Sequence, residues 1–174
     1  KFNSMSIGVF LALGSNLGDS AAILRLASKE LAVFSRTELI ASSIWKSSPE
    51  GFTSEVPEFF NAVIYITVEM PPEALLDEVL LLEKKLGRMR GEKTKKYSSR
   101  LIDIDIIDYG GLVYSSDKLT LPHPRARYRQ FVLRPLIEIK PDFCFPDSSD
   151  SLNQLVVNAE PNRMESISQL IPLG

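Results

Sequence analysis

The chain has 174 residues, enough for one domain with a sizeable core spanning residues 1–174. Its 20 Lys and Arg against 22 Asp and Glu give a formal net charge of −2, which excludes a global electrostatic drive toward nucleic acid or a membrane surface. The hydrophobic content is 44%, no apolar run is long enough to span a bilayer, and the single cysteine, Cys144, excludes an internal disulfide or a cysteine-rich zinc site.

No charged-then-apolar signal segment opens the chain, and Met5 reads as a natural initiator with Lys1 to Ser4 as a remnant ahead of it. "IGVFLALG" (Ile7–Gly14) is a short apolar run ending in glycine and predicts a buried strand. Asp19 or Ser20 then suits a helix N-cap, followed by Ile23, Ala27, Leu31 and Phe34 at helical spacing. "ELIASSIW" (Glu38–Trp45) predicts a second strand, and Lys46 to Phe60 a long loop. "NAVIYITVEM" (Asn61–Met70) alternates and is rich in β-branched residues, predicting a third strand. "PPEALLDEVLLLEKKLG" predicts a helix with a Leu75, Val79, Leu82, Leu86 stripe, proline in the first turn and Gly87 as C-cap. Arg88 to Ser99 is a polar loop, "RLIDIDIID" a fourth strand, and "YGGLVYS" a hairpin return from it. "SLNQLVV" and "SISQLIP" are weakly helical patches, and Cys144 in "DFCFP" reads as a small apolar residue. The lone cysteine favours a reducing, cytoplasmic compartment.

The order β-α-β-β-α-β predicts an α+β protein: a ferredoxin-like sheet with helices packed on one face, plus a hairpin and a C-terminal extension. The fourth strand is expected to be an inner one.

That strand carries the first chemical signal. Successive strand residues face opposite ways, so Asp103 and Asp105 share a face with Leu101 and Ile107, while Asp108 has the opposite parity and reads as structural. Two carboxylates roughly 6.5–7 Å apart along a strand repel unless something positive compensates. The plainer reading is a solvated strand face; the sharper one is a hard-cation site, because magnesium favours carboxylate oxygens together with substrate phosphates. The preceding segment packs Lys84, Lys85, Arg88, Arg90, Lys93, Lys95, Lys96 and Arg100 against Glu83 and Glu92, the complement a metal–polyphosphate substrate needs. A second basic cluster follows in "LPHPRARYRQF": His123, the only histidine, lies between two prolines, with Arg125, Arg127 and Arg129 close behind. "GSNLGD" (Gly14–Asp19) looks like a phosphate loop but lacks the Walker ending, and a tight turn with an N-cap explains it adequately.

Taken together, "LALGSNLGD", "FFNAVIYI", "RLIDIDII" and "LPHPRARYRQFVLRPLIEI" resemble, in order, the 6-hydroxymethyl-7,8-dihydropterin pyrophosphokinases of folate biosynthesis. The resemblance implies transfer of pyrophosphate from ATP to the pterin's hydroxymethyl group, releasing AMP. It implies two magnesium ions held by Asp103 and Asp105, with Arg100, His123, Arg129 and a loop arginine, Arg88 or Arg90, on the phosphates. Glu83 and Tyr97 would lie near the nucleotide. Phe59 and Phe131 would sandwich the pterin, with Asn61 on its polar edge and Ser47 in the same pocket. It also allows fusion to other folate-pathway enzymes. The chain departs from the family pattern before the central arginine: "YSSR" stands where a tryptophan and Gly-Pro are usual, and Tyr97 can still stack over the site.

The alternative from another class is an RNA-recognition module with the same element order. That module needs exposed aromatics on its central strands, which "IGVFLALG" and "RLIDIDIID" do not offer.

Overall fold

The computed structural model describes residues 5–47, 58–88, 101–159 and 161–171, with Arg88 as backbone only. The chain is a mixed α/β protein built on an antiparallel sheet. Its elements are β1 (Ile7–Ser15), α1 (Ser20–Ala32), β2 (Ile40–Ala41), β3 (Ser43–Ser47), β4 (Phe59–Val68), α2 (Pro72–Arg88), β5 (Asp103–Tyr109), β6 (Tyr114–Ser115), β7 (Thr120–Leu121), a 3₁₀ turn (Ala126–Tyr128), α3 (Gln130–Ile139), α4 (Leu152–Asn158) and β8 (Met164–Gln169). The large sheet runs β5-β1-β4-β3-β8, with β2 also paired to β4; β6 and β7 form a separate ladder.

β1 is apolar on both faces because both are covered. Val9, Leu11 and Leu13 join Ala62, Ile64 and Ile66 of β4 and Ile104 and Ile106 of β5 against the buried stripes of α1 and α2. Phe10 joins Val63 and Ile107 on the opposite face, under Val132, Leu133 and Leu136 of α3 and Leu152 and Leu155 of α4. The expected one-sided helix layer is therefore corrected to two. The C-terminal part covers the second face of the sheet, and Glu138 of α3 ties it to β3 by accepting from the Ser43 backbone N–H and hydroxyl, each at 2.6 Å.

Several local expectations also change. Among the described residues β5 ends the sheet and is not an inner strand, although it does pair with β1. The second strand is broken at Ser42, whose hydroxyl accepts from the Val63 N–H at 2.9 Å and donates to the Ser43 carbonyl. α2 runs through Gly87. The strand after the Gly110–Gly111 turn pairs with β7, not with β5. "SLNQLVV" is helical, but "SISQLIP" lies mostly in β8. Cys144 is exposed. Asp19, one of the two expected caps, receives the Ala22 N–H at 3.1 Å.

One irregularity redirects a side chain. Leu11 pairs with Ile106 but Phe10 pairs with Asp108, so Ile107 is an extra residue on β5. Such a bulge reverses the alternation beyond it. Asp108 therefore lies on the face of Asp103 and Asp105, against the parity expected from the sequence. It is only 5% exposed, and its Oδ2 accepts from the Gly111 N–H at 3.1 Å, in a turn where Gly110 and Gly111 both have positive φ. Burial pushes the Asp108 carboxyl above its ordinary value, and the Gly111 bond only partly offsets this. A carboxyl raised in the folded state favours folding most below the unfolded value, and that contribution is lost as pH rises through the raised value. Asp108→Asn is accordingly expected to raise Tm at neutral pH, with the gain vanishing in thermal melts run below pH 3.8. An unchanged Tm at neutral pH would contradict it.

Candidate active site

The carboxylate end of β5 lies in register with β1 and, through it, with β4. Asp103 pairs with Gly14, Gly14 with Asn61, and Asn61 with Trp45. The next row on this face is Asp105, Ala12 and Val63. Paired residues share a face, and strands are spaced at about 4.8 Å, so Asp103 and Asn61 stand about 10 Å apart on one surface. Gly14, with no side chain, is the floor between them. A Cβ placed there would lie 3.3 Å from Asn61 Oδ1.

Asn61 is 5% exposed, and its amide donates to the Ser47 hydroxyl at 2.8 Å. Ser47 pairs with Phe59, which has the parity of Asn61 and is half-buried. These three predicted residues form one cluster. Phe131 stands in the first turn of α3, packed at the edge of the second core, with the Arg129 guanidinium over its ring at 5.4 Å.

His123 is fixed from several sides. Its backbone N–H donates to the Ile107 carbonyl at 2.9 Å, and its ring Nδ1 accepts from the Arg125 N–H at 3.2 Å. With Nδ1 accepting, the neutral ring carries its proton on Nε2. That nitrogen faces Asp105 Oδ2 at 3.9 Å, beyond hydrogen-bond range. Burial lowers the His123 pKa; Asp105 opposes this, and Arg129 and Arg125 reinforce it. His123 is thus a neutral donor beside Asp105, not a cation neutralising it.

The structure brings Asp103, Asp105 and His123 to one end of β5, and Ser47, Phe59 and Asn61 to the adjoining end of β4. Glu83 is half-buried on α2, in the layer across the sheet from the carboxylates. Arg90, Tyr97 and Arg100 lie outside the described residues, as does the Arg88 side chain. The second basic cluster divides. Arg127 turns away to pair with Asp147 at 2.6 Å and to lie over the Phe145 ring at 5.1 Å. Arg125 is exposed and Arg129 half-buried. Sequence reasoning missed the floor made by Gly14 and Ala12. The signal was present as small residues at alternate positions of an otherwise bulky strand.

Residues 10–141 match the family model described as 7,8-dihydro-6-hydroxymethylpterin-pyrophosphokinase (HPPK). The chain belongs to this family. A Synechocystis protein named 2-amino-4-hydroxy-6-hydroxymethyldihydropteridine pyrophosphokinase is 34% identical over 167 residues, covering 96% of this chain and 84% of that one. A Haemophilus influenzae protein of the same name is 38% identical over 143 residues, covering 82% and 87%. The crystal structure of wild-type Plasmodium falciparum HPPK-DHPS superposes with a TM-score of 0.66 at 12% identity, covering 88% of this chain and 45% of that one. At that identity the likeness shows a shared HPPK fold, and the present chain spans less than half the length of that structure.

Within this HPPK-family chain the donor set fits a hard cation. Asp103 and Asp105 present carboxylate oxygens on one face of one strand, and Asp105 is half-exposed. Among the described residues no group of three or more His, Cys, Asp and Glu is placed to enclose a metal. Two carboxylates with room for further oxygen ligands suit magnesium arriving with a polyphosphate better than a closed protein cage.

Proposed function

We propose that the chain transfers the β,γ-pyrophosphoryl unit of ATP to the hydroxymethyl oxygen of 6-hydroxymethyl-7,8-dihydropterin, in a cytoplasmic step of folate synthesis. The acceptor oxygen bonds to the β-phosphorus as the bond from that phosphorus to the α,β-bridging oxygen breaks. AMP leaves with the bridging oxygen, and the hydroxyl proton is released. The observation that supports this reading is the row Asp103–Gly14–Asn61: a carboxylate and an amide on one surface, separated by a bare glycine, which the reading takes as the metal–phosphate end and the ring end.

Asp103 and Asp105 would hold magnesium, two ions in the full reading; when bound, it neutralises triphosphate charge and polarises the phosphoryl oxygens. His123 donates its Nε2–H to a phosphate oxygen and Arg129 contributes positive charge. Arg100, Tyr97 and either Arg88 or Arg90 complete the nucleotide side; Glu83, expected there from the resemblance, sits on α2 across the sheet from the carboxylates and is left out of it. Phe59 and Phe131 hold the flat ring, and Asn61, oriented by Ser47, fixes its polar edge. The ferredoxin-like description belongs to the same reading and is supported by the strand order: last beside first, then third, then second. Fusion to another folate enzyme is supported by the Plasmodium protein, whose name joins HPPK to DHPS. The RNA-binding alternative finds no support, because α3 covers this sheet face and the uncovered end carries carboxylates.

The test is AMP formation from ATP, expected only when both the dihydropterin and magnesium are present. Folded protein that forms no AMP, or forms ADP instead, would overturn the reading. The row makes a narrower prediction. Gly14→Ala crowds Asn61 by a few tenths of an ångström, so KM for the pterin is expected to rise about tenfold with KM for ATP little changed. Equal effects on both substrates in steady-state kinetics would argue against Gly14 as the floor.

A further inference from the structure

The turn from β1 to α1 holds more than the Asp19 N-cap and the positive φ of Gly18. Next to Gly14, the floor of the candidate site, stands Ser15, which is 3% exposed. It has the parity of Leu11 and Leu13, so its side chain lies on the α1–α2 side of the sheet, opposite to the carboxylates. There its hydroxyl donates to the Leu101 carbonyl at 2.6 Å. The hydroxyl of Ser20, the first residue of α1 and also buried, lies 3.2 Å away. A serine has one proton to give, and the shorter contact takes it. Ser15 thus joins the end of β1 to the entry of β5, 86 positions away in sequence.

The bond falls where the sheet gives least support. Gly14–Asp103 is the last pair of the β1–β5 ladder, and among the described residues β1 is the only strand beside β5. Asp103 is therefore held by one ladder, at its outermost rung. Asp105, paired with Ala12 between two further rungs, needs no added support. Ile102 is buried in the core just before Asp103, but apolar burial is non-directional and does not fix the strand along its own length. The bond from the Ser15 hydroxyl is directional, and it holds the chain two residues before Asp103.

We propose that Ser15 is a positioning residue for the metal site: by holding the Leu101 carbonyl it sets the entry of β5, and with it the place of the Asp103 carboxylate beside that of Asp105. This role rests on the reading of the two acids as magnesium ligands, and it concerns how firmly the cation is held, not the transfer step.

The probe is Mn²⁺, added alone to the full chain as a paramagnetic stand-in for magnesium, with the free ion counted by electron paramagnetic resonance. The binding that Asp103→Asn removes is the quantity compared. Ser15→Ala deletes one oxygen atom and is expected to weaken that binding about tenfold, the lower end of what partners of metal ligands contribute. In steady-state kinetics the magnesium concentration for half-maximal AMP formation is expected to rise by a similar factor, with KM for the pterin unchanged and kcat recovered at saturating magnesium. Ser20→Ala is the matched control. It deletes one oxygen from the same junction and leaves the Ser15–Leu101 bond in place, so Mn²⁺ affinity is expected to change little. Unchanged Mn²⁺ affinity in Ser15→Ala would overturn the proposal, as would an equal loss in Ser20→Ala or a matching rise in pterin KM. Mn²⁺ bound equally well by Asp103→Asn would sink the metal reading and the Ser15 role together. The Mn²⁺ comparison needs no turnover, so it fails or succeeds separately from the assigned reaction, which the absence of AMP from the unaltered chain would sink.

Discussion

Replacing Asp105 by asparagine is expected to cut kcat/KM for AMP formation by at least about a hundredfold, and Asp103→Asn to do the same, with the fold intact. Groups that merely support a metal ligand are worth about 10–100-fold, so loss of a ligand should exceed that. The amide keeps the volume of the carboxylate and removes its charge. Stability should change little, because Asp103 is exposed and Asp105 half-exposed at the end of an edge strand. His123 cannot compensate: its ring is neutral and its Nε2 is a donor, turned toward Asp105. Steady-state kinetics at several magnesium concentrations, alongside circular dichroism, check the prediction. Near-full activity in either variant would remove that carboxylate from the metal assignment.

Phe145→Ala is expected to cost about 3–5 kcal/mol of stability. The ring is 1% exposed, stands edge-on to Phe143 at 5.1 Å, and has the Arg127 guanidinium over it. Its removal leaves a cavity and takes the platform from under Arg127, whose bond to Asp147 helps anchor the segment between His123 and Arg129. For a chain of this size the loss corresponds to a Tm drop on the order of 10 °C. Denaturant unfolding measures it; a change below about 1 kcal/mol would show that the ring is not core. KM for ATP should also rise, because the anchored segment carries the proposed phosphate contacts.

Elements governed by local periodicity were legible in the sequence. The Leu75, Val79, Leu82, Leu86 stripe of α2 is buried throughout, and the unbroken apolar run of β1 marks a strand covered on both faces. What escaped was decided by tertiary contacts. α3 carries Pro135 in its interior, which cannot supply the helical hydrogen bond to the Phe131 carbonyl, yet its apolar face is buried on β3 and β4. β8 is mostly polar and exposed, and it exists because the edge of β3 offers it a ladder. At the site, the shared face of Asp103 and Asp105 followed from alternation, and a place for His123 beside them only from the family resemblance. The division of the arginines did not, since Arg127's partner lies 20 residues away in sequence. Nor did the parity of Asp108, which depends on a single inserted residue.

The position of β5 at the sheet's edge among the described residues carries one more consequence. An open strand edge is a template on which another chain can add a strand, and proteins guard such edges with charge and distortion. Here the guards are Asp103 and Asp105 along the strand and the Ile107 bulge that bends it, with the His123 N–H already bonded to the Ile107 carbonyl. The acids proposed for metal binding therefore also guard this edge of the sheet. Evolution of the site toward neutral residues would expose a sheet margin to self-association before any question of turnover arose.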